Sequence, residues 1–255
     1  MRTESPLTLL WRTVKLIIGF QGTRYEGWQS QKKDSTVQEV FEKALAEILK
    51  KKTHLVGSSR TDSGVHALGF AAHFQTKSRL PDVTLKRALN FHLPPDILVK
   101  SAKTVRRGFH ARFHAKFKVY RYDIWNDETR PLFEAPYVLW HPQPLKVDRM
   151  RLAARYLKGK HDFKAFQASG DDRKGGTART IRRISLTKSR ELLRIEIEGD
   201  GFLRQMIRII VGTLLDVGRG KMSPKKVPEI LRSKDRRKAG PTAKAHGLTL
   251  VRVEY

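Results

Sequence analysis

The order of local patterns repeats along this chain, and that doubling limits the fold more than any single residue does. Thr13 to Phe20 (TVKLIIGF) is rich in β-branched and aromatic residues and reads as a strand. After the polar loop GTRYEGWQSQKKDS, Thr36-Val37-Gln38-Glu39 forms a capping box, in which Thr and Glu side chains satisfy each other's orphan amides. Apolar residues then recur at Val37, Val40, Phe41, Leu45, Ile48 and Leu49, a helical spacing. Strands near His54 to Ser58 and Leu68 to Thr76 follow, then a helix from Pro81 to about Asn90 and a strand from Ile97 to Val105.

The second part repeats the order. Lys116 to Trp125 (KFKVYRYDIW) alternates like a strand, and Val147 to Lys158 is helical. A loop rich in Gly, Asp and Lys spans Ala168 to Ala178. Strands near Arg179 to Thr187 and Leu192 to Glu198 lead into a long helix from Gly201 to about Val217. A short helix after Pro224 and a final strand, Leu248 to Val253, complete the set. The segment Asn126 to Pro144, with four prolines, is an excursion carrying one short strand at Tyr137 to Trp140. Strand, helix, strand, strand, helix, strand is the split βαβ or ferredoxin-like unit. The expected class is therefore α+β, with two such halves, residues 1–105 and 106–255, around a shared cleft.

Charge narrows the partner. The chain carries 52 Lys and Arg against 25 Asp and Glu, a net +27, and residues 106–255 hold +19 of it. Such an excess repels itself in a compact fold and calls for a polyanion, nucleic acid before all others. A membrane surface fits less well, because no helix combines an aromatic face with a Lys/Arg face. The Lys- and Arg-rich segment Lys221 to Lys244 is open between an RNA-facing surface and a solvated loop. There is no cysteine, hence neither a disulfide nor a thiolate metal site, in keeping with a reducing compartment. No run of eighteen apolar residues spans a bilayer, and MRTESPLTLLWRTVKL does not read as a secretory signal, so the expected location is cytoplasmic.

The most unusual stretch is Ser58-Ser59-Arg60-Thr61-Asp62-Ser63-Gly64-Val65-His66-Ala67, a tight turn between two strands of the first half. An Asx turn at Asp62 is its bland explanation. Three features point instead to chemistry. Arg60 and more distant arginines surround a scarce carboxylate, and a nearby arginine favours the ionised form that a nucleophile needs. Arg204 and Arg208 stand four apart at the start of a largely apolar helix, on one face, where an arginine wants an anionic partner. Tyr120 and Tyr122 share one face of a strand, with Arg121 on the other, and offer platforms for an unstacked base. His110 and His114 are four apart on a stretch read as extended, roughly 13 Å along the chain, which speaks against a metal. There is no P-loop and no G-x-G-x-x-G after a strand.

Six segments in register, RTDSGVHA (60–67), GTRYEGWQ (22–29), FHARF (109–113), KVYRY (118–122), GFLRQMIRIIVGTLLDVGRGK (201–221) and GLTLVRVEY (247–255), resemble the tRNA pseudouridine synthase A family, from about Val14 to the C-terminus. The resemblance implies two ferredoxin-like halves sharing an antiparallel sheet with a central RNA-binding cleft, usually as a homodimer. It implies conversion of uridine to pseudouridine at positions 38, 39 and 40 of the tRNA anticodon arm, without cofactor or metal. Asp62 would be the essential aspartate, Arg60 an RNA contact that helps hold the target base out of its helix, and Arg208 the partner of Asp62. Tyr120 would pack on the base and assist proton removal at C5, Leu248 would pack against the base, and Arg204 would be an RNA contact at most. Phe20-Gln21-Gly22-Thr23 and Ser59 depart from the family pattern, which puts the first loop's RNA contacts in question. Two rivals share some features. A non-catalytic pair of RRM-like modules explains the charge but not the Arg-Thr-Asp turn, and Gly69 to Phe74 is only a faint RNP1 echo. A metal-dependent nuclease needs clustered carboxylates, whereas Asp171-Asp172 and Asp127-Glu128 read as exposed loops.

Overall fold

A computed structural model describes residues 11–30, 35–170 and 176–255. The chain's first ten residues, the tract 31–34 of the first polar loop and the Asp171-Asp172 pair lie outside the described residues. In chain order the first half contains β1 (Arg12–Phe20), α1 (Val37–Leu49), β2 (Val56–Gly57), β3 (His66–Thr76), α2 (Asp82–His92) and β4 (Ile97–Val105). The second contains β5 (Phe117–Trp125), β6 (Leu139–Trp140), α3 (Val147–Arg155), β7 (Gly159–Asp162), β8 (Ala178–Ser189), β9 (Leu192–Gly199), α4 (Met206–Gly218), α5 (Lys226–Ser233) and β10 (Leu248–Glu254). Among the described residues, no helix is long and apolar enough to cross a membrane.

These strands form one sheet in the order β4-β1-β3-β10-β5-β9-β8-β7, with β2 added to β3 and β6 to β5. In each half the fourth strand lies beside the first, the first beside the third and the third beside the second: β4-β1-β3-β2, then β10-β5-β9-β8. The fold is thus α+β with two ferredoxin-like halves. Pairing is antiparallel except at β5–β6 and at the join between the halves, where Thr249 and Leu250 of β10 run parallel to His66 and Ala67 of β3. The join is possible because β2 is short. It covers β3 only at Ala72 and His73 and leaves the His66 end of that edge to β10.

Local chemistry explains the elements. Thr36 caps α1 by accepting from the Glu39 amide at 3.3 Å, and the helix turns Val37, Phe41, Ala44 and Leu45 into the core. There Phe41 meets Trp28, which stacks on Phe70 of β3 at 4.0 Å between centroids. In β9 every second residue is buried, as the alternation in LLRIEIEG requires of a half-covered strand.

Two expectations differ, and two further segments take a form that the sequence did not specify. The helix expected from Gly201 begins only at Met206, because Gln205 takes a left-handed conformation (φ 58°) and turns the chain. A non-glycine residue in that region is uncommon, and apolar periodicity does not reveal it. The stretch holding His110 and His114 is a turn rather than extended, closed by the His114 amide on the His110 carbonyl at 3.1 Å. Each of their Nδ1 atoms faces backbone amides. Strand β7 had no counterpart in the sequence reading. The segment Lys221 to Lys244 is packed structure: α5 buries Val227, Ile230 and Leu231, and Arg236 turns inward to the carbonyls of Ala239 and Gly240.

One close approach ties that segment to the core. A Cβ on Gly212 would stand 1.7 Å from the Pro241 carbonyl oxygen, so only glycine lets residues 240–243 lie against α4. Thr213 accepts from the Gly240 amide at 2.9 Å and completes the seam. Gly212→Ala is expected to cost about 1–3 kcal/mol by overpacking. A thermal melt should show the midpoint fall by several degrees, and an unchanged midpoint would contradict this packing.

Candidate functional site

The turn that carries Asp62 is built by two loops holding each other. The Asp62 carbonyl accepts from the Val65 amide at 3.2 Å, and the Tyr25 carbonyl accepts from the amide of Gly64 at 3.3 Å. The Trp28 amide donates to Thr61 at 3.3 Å. Gly27 sits at φ 86°, and a Cβ there would stand 2.4 Å from the Thr61 carbonyl oxygen. Gly22 makes a like approach, where a Cβ would stand 2.1 Å from the Val65 carbonyl oxygen, so the two glycines of GTRYEGWQ let the first loop reach the Arg-Thr-Asp turn and connect two segments that sequence alone could only set side by side.

Asp62 faces a cleft of about 800 Å³ between the halves. Its Oδ2 lies 2.8 Å from Nη1 of Arg208, with side chains 27% and 14% exposed, so the carboxylate is held on one side and open on the other. Arg208 is fixed in turn: its Nε donates to the Ala243 carbonyl at 2.7 Å, and the Ala243 amide donates to the Arg208 carbonyl at 3.1 Å. The seam at Gly212 sets that second contact one helical turn away. Arg208, not the neighbouring Arg60, is the contact of Asp62.

Tyr120 of β5 is buried to 7% exposure and lines the same cleft. Its ring meets Phe202 edge-on at 5.3 Å. Burial pushes its hydroxyl up to about 12, assisted by the charge of Asp62 and opposed by contact with Ser59, so at neutral pH it is a phenol. Leu248 completes the apolar side. Register explains why these residues converge. β10 is the one strand between β3, which follows the Asp62 turn, and β5, with Leu250 opposite both Ala67 and Tyr120. Two strand spacings put β3 and β5 about 10 Å apart.

Arg60 and Arg204 both line the cleft and are exposed. Arg204 lies in the turn before α4, so the shared helical face expected for Arg204 and Arg208 does not exist. The paired tyrosines also part company. Tyr122 is fully buried and donates to the Lys244 carbonyl at 2.7 Å, which makes it a structural tyrosine away from the cleft wall. Sequence reasoning missed Lys118 and Phe202. Both lie in segments already singled out, and Lys118 shares a strand face with Tyr120, a period-2 signal that was available. Among the described residues no group of three or more His, Cys, Asp or Glu is placed to hold a metal ion.

The family model of a tRNA pseudouridine synthase matches residues 16–114 and 153–255. Among similar curated proteins, tRNA pseudouridine synthase A of Thermoanaerobacter sp. (strain X514) is 46% identical over 248 residues, 96% of this chain and all of that one. The protein of the same name from Acetivibrio thermocellus is 46% identical over 246 residues with the same coverage. That from Geobacillus kaustophilus is 44% identical, covering 95% of this chain and 94% of its own. Among solved structures, the archaeal box H/ACA sRNP Nop10-Cbf5 complex gives a TM-score of 0.37 at 9% identity, covering 79% of this chain and 44% of that chain. With the family model matched across both halves and relatives of this identity aligned over nearly the full length, the chain belongs to the tRNA pseudouridine synthase family.

Proposed function

We propose that this enzyme isomerises uridine to pseudouridine in the anticodon arm of tRNA, at positions 38, 39 and 40, with Asp62 as the essential carboxylate. The observation that carries the reading is the ion pair of Asp62 with Arg208, set at the wall of a basic cleft beside a buried phenol and open toward it. Residues 1–105 supply the carboxylate, and residues 106–255 supply the arginine and the tyrosine that close on it. The choice of the anticodon arm rests on the likeness of the six sequence segments. We take the working form to be a homodimer in the cytoplasm, where its substrate resides.

The reaction breaks N1–C1′, turns the base and forms C5–C1′; C5 gives up a proton and N1 gains one, so nothing is oxidised. The target base must leave its stack, at a cost of a few kcal/mol, and needs replacement contacts. Tyr120, Phe202 and Leu248 form the apolar wall that can provide them. Arg60 and Arg204, exposed at the rim, are suited to phosphates of the displaced strand. Asp62 acts on the ribose or the base while Arg208 keeps its carboxylate aimed. As a phenol at neutral pH, Tyr120 can donate a hydrogen bond or relay a proton, and acts as a base only after passing its own proton on.

Release of tritium from tRNA labelled at uridine C5 tests the reading. Asp62→Asn should lower release by at least about 1,000-fold while leaving tRNA affinity nearly unchanged. Retained turnover would remove Asp62 from the chemistry. Tyr120→Phe keeps the ring against Phe202 and loses the hydroxyl, and the turnover number should fall about 100-fold. An unchanged rate would show that the hydroxyl is idle. Pseudouridines mapped in treated tRNA should fall at positions 38 to 40, and modification confined to another arm would refute the assignment of the anticodon arm.

A further inference from the structure

Lys118 enters the cleft from the same face of β5 as Tyr120, two residues earlier. Its ammonium donates one hydrogen bond, to the Ser58 carbonyl at 2.8 Å, although an ammonium has three N–H donors. No carboxylate among the described residues forms an ion pair with it. Asp62 is committed to Arg208, and Glu26, also at the cleft wall, has partners of its own. The charges that act on Lys118 are those of Arg112 and Arg179, both positive. Burial first, then these two arginines, pull its pKa down to about 8. A half-buried cation with unused donors and cationic neighbours costs energy until an anion joins it. An independent feature marks the same wall: the hydroxyls of Ser58 and Thr61 are buried there without a hydrogen-bond partner.

We propose that Lys118, anchored on the Ser58 carbonyl, receives a backbone phosphate of the nucleotide that swings into the cleft. The proposal rests on reading the cleft as the uridine site. It assigns the lysine a substrate-binding role. The rival is a lysine that only ties the Ser58 carbonyl to β5, and the two differ in their dependence on salt and pH. A phosphate contact releases counterions and so adds to the salt slope of RNA binding, whereas an internal tie does not. Around the cleft, Arg60 and Asp62 come from the turn, Arg204 and Arg208 from the α4 side, Glu26 from the first loop and Tyr120 from the lysine's own strand. Tyr120 is pushed to about 12, whereas Lys118 is the cation lost near pH 8. Below that value it binds phosphate as an ammonium, and above it the free enzyme loses the charge.

Affinity for unmodified tRNA is measured against salt in the Asp62→Asn protein, with and without Lys118→Met, so that turnover plays no part. The lysine's removal should weaken binding roughly 10-fold or more. It should also make the slope of log K against log salt shallower by about 0.7–1. In the otherwise unaltered enzyme kcat/KM should fall as pH rises through about 8, and Lys118→Arg, which keeps the charge, should move that fall upward. The uracil imide also ionises in alkali, but equally for both enzymes, so the difference between them belongs to the lysine. An unchanged salt slope in Lys118→Met overturns the proposal, as does an alkaline limb that stays in place in Lys118→Arg. Turnover by Asp62→Asn would instead undo the reading of the site, and the salt slopes would still judge Lys118.

Discussion

Two residue pairs of parallel β-structure, His66 with Thr249 and Ala67 with Leu250, hold the halves in one sheet, and the site depends on them. Parallel pairing offers slanted, slightly weaker hydrogen bonds than antiparallel pairing, and here it is short. It is reinforced where β10 runs antiparallel to β5 from Leu248 to Glu254. Because β3 begins three residues after Ser63 and β5 contains Tyr120, a shift of β10 by one residue would turn Leu248 to the opposite face and take it out of the cleft's apolar wall. Register is thus a functional quantity in this chain.

The second constraint is the bridge across 146 residues between Asp62 and Arg208. An arginine on an otherwise buried helix must satisfy its guanidinium, and Arg208 does so with one carbonyl and one carboxylate. The carbonyl, Ala243, is delivered by the seam along α4 that Gly212 permits. A chain of ordinary packing decisions therefore ends in the aim of one carboxylate. A lysine at this position would lose the planar fork that lets one side chain grip both groups at once.

Much of this was legible in the sequence, and the failures have common physical causes. The doubled element order was visible because capping residues, periodicity and proline placement agree with the tertiary fold in most segments, for example Thr36 at the start of α1 and Ile97–Val105 as β4. Errors fell where backbone conformation departs from what side-chain type announces. Gln205 adopts a left-handed turn with no glycine to signal it, and the His110–His114 stretch curls where extended chain was expected. Tyr120 and Tyr122 could not be told apart by pattern, since both point to one face. Only the carbonyl of Lys244, more than a hundred residues away, makes one of them structural. Lys118 is hidden for a similar reason: its type reads as solvated charge, whereas its ammonium is tied to the Ser58 carbonyl, sixty residues earlier in the chain.

The charge distribution also acquires a division of labour from the structure. A net +27 draws RNA from a distance, but its field is screened beyond about 8–10 Å at ordinary ionic strength. Exposed arginines such as Arg60 and Arg204 belong to that screened regime. Arg208 and Lys118 stand inside the wall, where screening is weaker and each interaction counts for more. Of the two inner cations, one is neutralised by the carboxylate of the protein and the other has no acid partner among the described residues. An anionic nucleotide entering the cleft meets net positive charge at the wall, while the carboxylate that would otherwise repel it is masked by Arg208. Masking Asp62 with an arginine thus fixes the direction of its carboxylate and makes the approach of a phosphodiester electrostatically tolerable, which a bare aspartate in the same cleft would oppose.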